Sequence, residues 1–338
     1  MEQFAAYVGL SRPTVSKYFN DPSSVRPKTR NVIEVALKES GFQPNIFAVN
    51  LNRRRANILG IVMPNAIDPF YAELTRRIET IAEAAGYLCF SLSSDGKPEL
   101  EDRAVETLRS LNVAGAVIAP LGMRSHHSTL ATLGRSIPLV YADSPLDSVS
   151  SFVGTNNAQS FDLIVDYLCR SGGDPCFFDM PTVNYNALQR RDAYIATMRR
   201  LGRTPQVVTT ADVDSWEFEL FGYEETQRVL QRDGFPTRTI LCANDRLAFG
   251  VIAALNEAGL RVGRGEACDF RVAGHDDAPL SRYACPPLTT VAQNIREIGR
   301  VAIDLLFRKI AALDNGVPAD ADNNRVLLNA ELMLRASA

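Results

Sequence analysis

Two sets of residues in this chain of 338 are of types suited to binding. One is scattered: Asp68, Phe70, Tyr71, Asp143, Asn184, Asn186, Arg190, Trp216, Asn244, Asp276 and Gln293. Carboxylates, amides and a guanidinium can each form paired hydrogen bonds to neighbouring hydroxyls, and the aromatic rings can cover an apolar ring face. That is chemistry for a sugar, with a nucleoside as the alternative. The other set is compact, with Arg12, Pro13, Thr14, Ser16, Lys17 and Asn20 close together near the start. Arg12 and Lys17 are able to address guanine, while Pro13 cannot donate from its ring and reads by shape or by contact with a thymine methyl. Double-stranded DNA is the partner those types fit.

Sets that would perform catalysis are missing. The chain has three histidines, and its one pair, His126-His127, is adjacent and does not converge on a metal. Cys89, Cys169, Cys176, Cys242, Cys268 and Cys285 are scattered without a Cys-x-x-Cys pair, so reduced thiols and no zinc are expected. No Gly-x-x-x-x-Gly-Lys-Ser/Thr occurs, and Val262 to Glu266 is not followed by the glycines of a dinucleotide loop. The expectation is a non-enzyme with no catalytic residue, no metal and no cofactor. His275 beside Asp276 is read as a substitution for an aromatic and not as an acid–base pair.

The elements that must hold these residues follow from periodicity. Phe4, Ala5 and Val8 give a first short helix, broken at Gly9. Ser11 caps a second, in which Pro13 is tolerated in the first turn and Val15 and Phe19 share a face, leaving Arg12, Thr14, Ser16, Lys17 and Asn20 outward. A third helix from Lys28 to Ser40 buries Val32, Ile33, Ala36 and Leu37 and ends at Gly41. Two helices joined through a glycine turn, with basic and short polar side chains near the start of the second, form a helix-turn-helix. Residues 1–57 hold nine Lys/Arg and four Asp/Glu, leaving a net −8 for the rest of a chain of net charge −3. A basic head on an acidic body concentrates attraction for phosphates at one end.

Beyond the head, apolar runs at Ile58 to Met63, Tyr87 to Leu92, Gly115 to Ala119 and Pro138 to Ala142 alternate with helical stretches. A second series follows at Pro175 to Asp179, Gln206 to Thr209, Thr239 to Ala243 and Phe270 to Gly274. Two such series predict two Rossmann-like lobes of parallel α/β structure, with ligand beyond the C-terminal ends of the strands, where the scattered set lies. Asp245 and Asp277 fit helix caps as well as ligands. No run of about 18 apolar residues exists to span a bilayer, and no signal peptide is evident, so a cytoplasmic protein is expected.

The string Phe4 to Asn20, Val25-Arg26-Pro27-Lys28-Thr29-Arg30, Gly41 to Asn45, Ala48 to Leu51, Ile58 to Val62, Cys242 to Asp245, Gly274 to Asp277 and Pro287 to Val291 resemble, in order, the pattern of the lactose repressor (LacI/GalR) family of bacterial transcription regulators. The resemblance implies a helix-turn-helix domain at 1–44, a hinge helix or linker at 45–57, and an effector-binding and dimerisation body at 58–338. Lobe 1 would be about 58–155 and 288–315, and lobe 2 about 156–287 and 316–338. It implies that Asn45 to Asn52 is the hinge, that Asn45 and Leu51 meet DNA, and that Leu51 wedges into the minor groove. Asp68, Phe70, Tyr71, Asp143, Arg190, Trp216, Asn244, Asp276 and Gln293 would line the effector cleft, and a homodimer would read a pseudo-palindromic operator. The expected function is a repressor gated by a small molecule, a sugar or sugar derivative; a purine-responsive regulator and a periplasmic-type sugar-binding protein are the alternatives. The chain also departs from the pattern. It starts almost at the first helix, so either a start lies upstream or the head is weakened, and Arg26 replaces a capping residue while offering a phosphate contact.

Overall fold

The computed structural model describes residues 2–20, 22–42, 56–318 and 324–338. Asn45 and Leu51, and with them nearly all of the expected hinge, lie outside the described residues.

The head is three helices, α1 (Glu2–Val8), α2 (Arg12–Asn20) and α3 (Pro27–Ser40). Gly9 turns the chain between the first two at φ 70°, a left-handed conformation open to glycine without steric penalty. The Ser11 hydroxyl accepts from the Thr14 N–H at 3.4 Å and starts α2. Arg26 supplies no side-chain cap to α3, and Pro27 occupies the first turn instead. Phe4, Ala5, Val15, Tyr18, Val25, Ile33 and Ala36 form the small core, with Phe42 stacked on Phe4 at 4.5 Å between ring centroids. The expected buried stripe of α3 needs one correction, because Val32 is 45% exposed. Consecutive helical residues point 100° apart, and Ile33 takes the inward direction.

The body holds two parallel sheets. In lobe 1, β1 (Ile58–Met63), β2 (Leu88–Ser93), β3 (Gly115–Ile118), β4 (Leu139–Ala142), β5 (Phe152–Thr155) and β11 (Arg325–Leu328) pair in the order β11-β5-β4-β3-β1-β2. Helices α4 (Pro69–Ala84) and α11 (Ile295–Asp314) cover one face through Leu74, Ile78, Ile298 and Ala302. On the other face α5 (Pro98–Ser110) and α6 (His127–Ser136) bury Val105, Leu108, Leu130 and Leu133. In lobe 2, β6 (Pro175–Phe178), β7 (Gln206–Val207), β8 (Thr239–Cys242) and β9 (Arg271–Ala273) run in the order β7-β6-β8-β9. Around them lie α7 (Asn157–Ser171), α8 (Tyr185–Arg200), α9 (Phe218–Gln231) and α10 (Asp245–Glu257). A separate antiparallel pair joins β10 (Thr290–Ala292) to β12 (Glu331–Met333).

The chain divides between the lobes differently from the expected boundaries. Residues 325–328 pair with Phe152–Thr155 in lobe 1, not lobe 2, as a short edge strand in which Arg325 and Leu327 are exposed. Leu288 and Val291 belong to the lobe 2 core, with Ala330 and Ala338. Three connections therefore cross between lobes, after β5, after β10 and after β11. They are bonded to one another: the Thr155 hydroxyl donates to the Gln293 side-chain oxygen, and the Asn156 amide donates to Asn329 at 3.4 Å.

Candidate functional site

The outward side of α2 carries the expected DNA-reading residues together. Arg12, Pro13 and Lys17 are exposed, Thr14 and Ser16 are half-buried, and Val15 and Tyr18 anchor the other side. Arg12 pairs with Glu2 at 3.2 Å, which holds its guanidinium near the start of α1. Asn20 is the last residue of the helix, and Arg26 is exposed ahead of α3.

All eleven residues of the scattered set converge on one cavity. Asp68, Phe70, Tyr71, Asp143, Asn184, Asn186, Arg190, Trp216, Asn244, Asp276 and Gln293 line it with Met180 and Phe218. Strand and helix ends set their positions, as open α/β sheets require. Asp68, Asn184 and Asn244 each cap the helix that follows, accepting from the N–H of Phe70 (2.9 Å), Ala187 (3.2 Å) and Leu247 (2.8 Å). Asp143 and Asp276 have φ of 65° and 126°. Non-glycine residues hold such angles only where their surroundings impose them, at roughly 1–3 kcal/mol each.

Arg190 is fixed from three sides. It donates to the Ala243 carbonyl at 2.8 Å, to Asp276 at 3.0 Å and to Asn157 at 3.4 Å. Gln293 donates to the same Asp276 oxygen at 2.7 Å. Burial pushes the Asp276 carboxyl up, but Arg190 and the His275 and Gln293 hydrogen bonds outweigh it and hold it below the usual range. Burial, then Arg190, depress His275 to about 4, so the ring is neutral. Its Nδ1–H then donates to Asp276, and Nε2 accepts from the Ser160 hydroxyl at 2.9 Å. With Phe161 stacked on it at 5.3 Å, His275 is a positioning element, as its reading in place of an aromatic requires.

Asp143 differs. It is fully buried, and burial raises its carboxyl to about 6 although Arg190 and the Tyr71 hydroxyl, which donates at 2.8 Å, act the other way. Asn186 donates to its carbonyl across the lobes at 3.3 Å. Asp245 and Asp277, open between cap and ligand in the sequence, both turn inward. Asp245 accepts from Thr290, Ser281 and the Ala278 N–H at 2.5–2.8 Å, and Asp277 pairs with Arg335 at 2.6 Å.

Sequence reasoning passed over Arg246, which follows Asn244-Asp245 in the first turn of α10. Its guanidinium reaches Asp68 of the opposite lobe at 2.9 Å and Glu219 at 2.6 Å, and sits over the Phe218 ring at 5.1 Å. Asn157 and Phe218 were also missed. Their one signal was position, at or just before a helix start beside the strand ends. Trp216 lies on the loop before α9 and packs against Gly96 of lobe 1, where a Cβ would collide with the indole. Its N–H is buried without a partner among the described residues. With the lobes closed in this way the cavity measures about 30 Å³, the volume share of one water.

Residues 1–45 match the family model of bacterial regulatory proteins, lacI family, and residues 175–338 match that of a periplasmic binding protein-like domain. The ribose operon repressor of Escherichia coli (strain K12) is 29% identical, over 100% of this chain and 99% of its own. A transcriptional repressor PurR of Haemophilus influenzae (strain PittEE) is 26% identical, over 100% and 98%. A lac repressor dimer bound to operator and the anti-inducer ONPF superposes with a TM-score of 0.82 at 25% identity, over 99% of this chain and 97% of that one. Head, body and order of parts agree throughout: the chain carries a DNA-binding head of the lacI family of bacterial regulatory proteins, followed by a periplasmic binding protein-like body.

Proposed function

We propose that this protein is a cytoplasmic, homodimeric repressor whose operator affinity is set by a monosaccharide-sized polyol held between its lobes. The buried network of Asp143, Arg190, Asp276 and Gln293, walled by Phe70, Tyr71, Trp216 and Phe218, carries the reading. Three carboxylates (Asp68, Asp143 and Asp276) face one space, and carboxylates accept hydrogen bonds from hydroxyls in pairs. The fixed arginine supplies the complementary donors. In the head, Arg12, Pro13, Thr14, Ser16, Lys17 and Asn20 read base edges, and Arg26 meets a phosphate. Asn45 and Leu51 extend the contact to the hinge. No helix among the described residues is long and apolar enough to cross a membrane.

The test has two steps. Melting the protein with aldopentoses, aldohexoses, polyols and purine bases identifies the ligand class, since a ligand bound only by the folded state raises the midpoint. An operator selected from random duplexes is then titrated with and without the hit. A sugar is expected to change operator affinity about 5–150-fold, and Arg190→Ala is expected to remove that response while sparing effector-free DNA binding. A purine that raises the midpoint when no sugar does would replace the sugar reading.

A further inference from the structure

A second space opens beside the cleft. It has a volume of about 480 Å³ and shares Phe70, Asp276 and Gln293 with the cleft, so the two spaces adjoin. Its other walls come from the N-terminal ends of α4 and α11 and from the 3₁₀ turn Pro279–Arg282. The charges around it are unequally satisfied. Glu73 is bound by Arg76 and Arg77 at 2.6–2.9 Å, Asp277 by Arg335, and Asp276 by Arg190. Every acid on its walls is thus already neutralised within the fold. Arg282 and Arg296 also line it, both exposed, and neither has a hydrogen-bond or ion-pair partner among the described residues. Two uncompensated guanidinium groups therefore line a space that adjoins the cleft. The positive ends of two helices, of 16 and 20 residues, add to the same field.

Resting on the sugar reading of the cleft, we propose that this vestibule binds an oxyanion substituent of the effector, so that the physiological ligand is a sugar carrying a phosphate monoester. The sugar hydroxyls engage the buried carboxylates and Arg190. The phosphate projects past Phe70 and Gln293 to Arg282 and Arg296, whose planar forks suit its oxygens. Such contacts with an exposed pair are worth about tenfold in affinity or more.

Isothermal titration of the full-length protein at constant ionic strength tests this, with an aldopentose and an aldohexose, their terminal phosphate monoesters, and inorganic phosphate as probes. The ester is expected to bind at least tenfold more tightly than its parent sugar. Arg282→Gln/Arg296→Gln is expected to erase the preference and leave the parent sugar's affinity unchanged. Equal affinity for ester and sugar in the unsubstituted protein overturns the vestibule and leaves the sugar reading standing. So does a preference that survives the double substitution. Inorganic phosphate binding that depends on the two arginines, with no sugar or ester binding, keeps the vestibule and overturns the sugar reading; silence from every probe overturns both.

Discussion

Asp143 shows how a single group divides its value between stability and recognition. Its carboxyl is raised to about 6 by burial, from an ordinary 3.8. The native state therefore holds a proton that the unfolded chain has released between those values, so this residue's contribution to stability falls as pH rises from about 4 to 6. Above that range the fold carries a buried anion whose desolvation the Arg190 charge and the Tyr71 hydroxyl only partly offset. Asp143→Asn keeps an oxygen for Tyr71 and removes the charge. The variant is expected to melt higher than the parent at pH 8, to show no advantage at pH 4, and to lose effector binding. Calorimetry at the two pH values measures the first two, and an unchanged midpoint at pH 8 would contradict the assignment. The same proton makes effector affinity fall below about pH 6, because a protonated carboxyl accepts fewer hydroxyls.

At the scale of elements, the closest approach in lobe 2 is between α9 and α10. A Cβ on Gly222 would lie 2.5 Å from the Leu247 carbonyl oxygen, and one on Gly250 would meet the Glu219 carbonyl and the Tyr223 nitrogen. Backbone cannot swing aside as a side chain can, so overpacking here is relieved only by separating the helices. Gly250→Ala is expected to destabilise by about 1–3 kcal/mol, read from a urea midpoint, although alanine is the better helix former. The glycines were visible in the sequence, but what they touch was not. The strands β1, β3, β6 and β8 were legible because they are buried on both faces and read as apolar runs. β11 alternates between exposed and half-buried, so its place in the lobe 1 sheet is not legible as a buried run. The strand-end rule pointed to eleven of the thirteen residues lining the cleft, since it depends on topology alone, and passed over Met180 and Phe218. Arg246 escaped because its significance is its partner in the other lobe, 178 positions away, and no local pattern encodes that pairing.

For the whole molecule, the pairing of Arg246 with Asp68 is one of the contacts that tie the lobes together. Each side chain is 9% exposed, and the bond spans the cleft. Removing one partner of a buried pair costs roughly 3–5 kcal/mol, close to what moves a two-state population from one extreme to the other. Arg246→Met is therefore expected to open the effector-free body, seen as a larger radius of gyration in solution scattering. An unchanged radius would show that closure rests on other contacts. The crossovers are bonded to the cleft: Asp276 binds Gln293, and Gln293 binds Thr155 on the neighbouring crossing strand. A ligand hydroxyl that competes for Asp276 acts directly on the hinge of the body.

The indole at position 216 has a practical consequence. The chain contains one tryptophan, and it is the residue that bridges the loop before α9 to Gly96 at the mouth of the cleft, within 6.3 Å of the Tyr71 ring. All of the protein's tryptophan emission thus originates at the mouth of the proposed effector cleft. Opening the lobes would wet that ring and shift its spectrum to the red, and a bound molecule would change its intensity, so occupancy is readable by eye of the fluorimeter without attaching any dye.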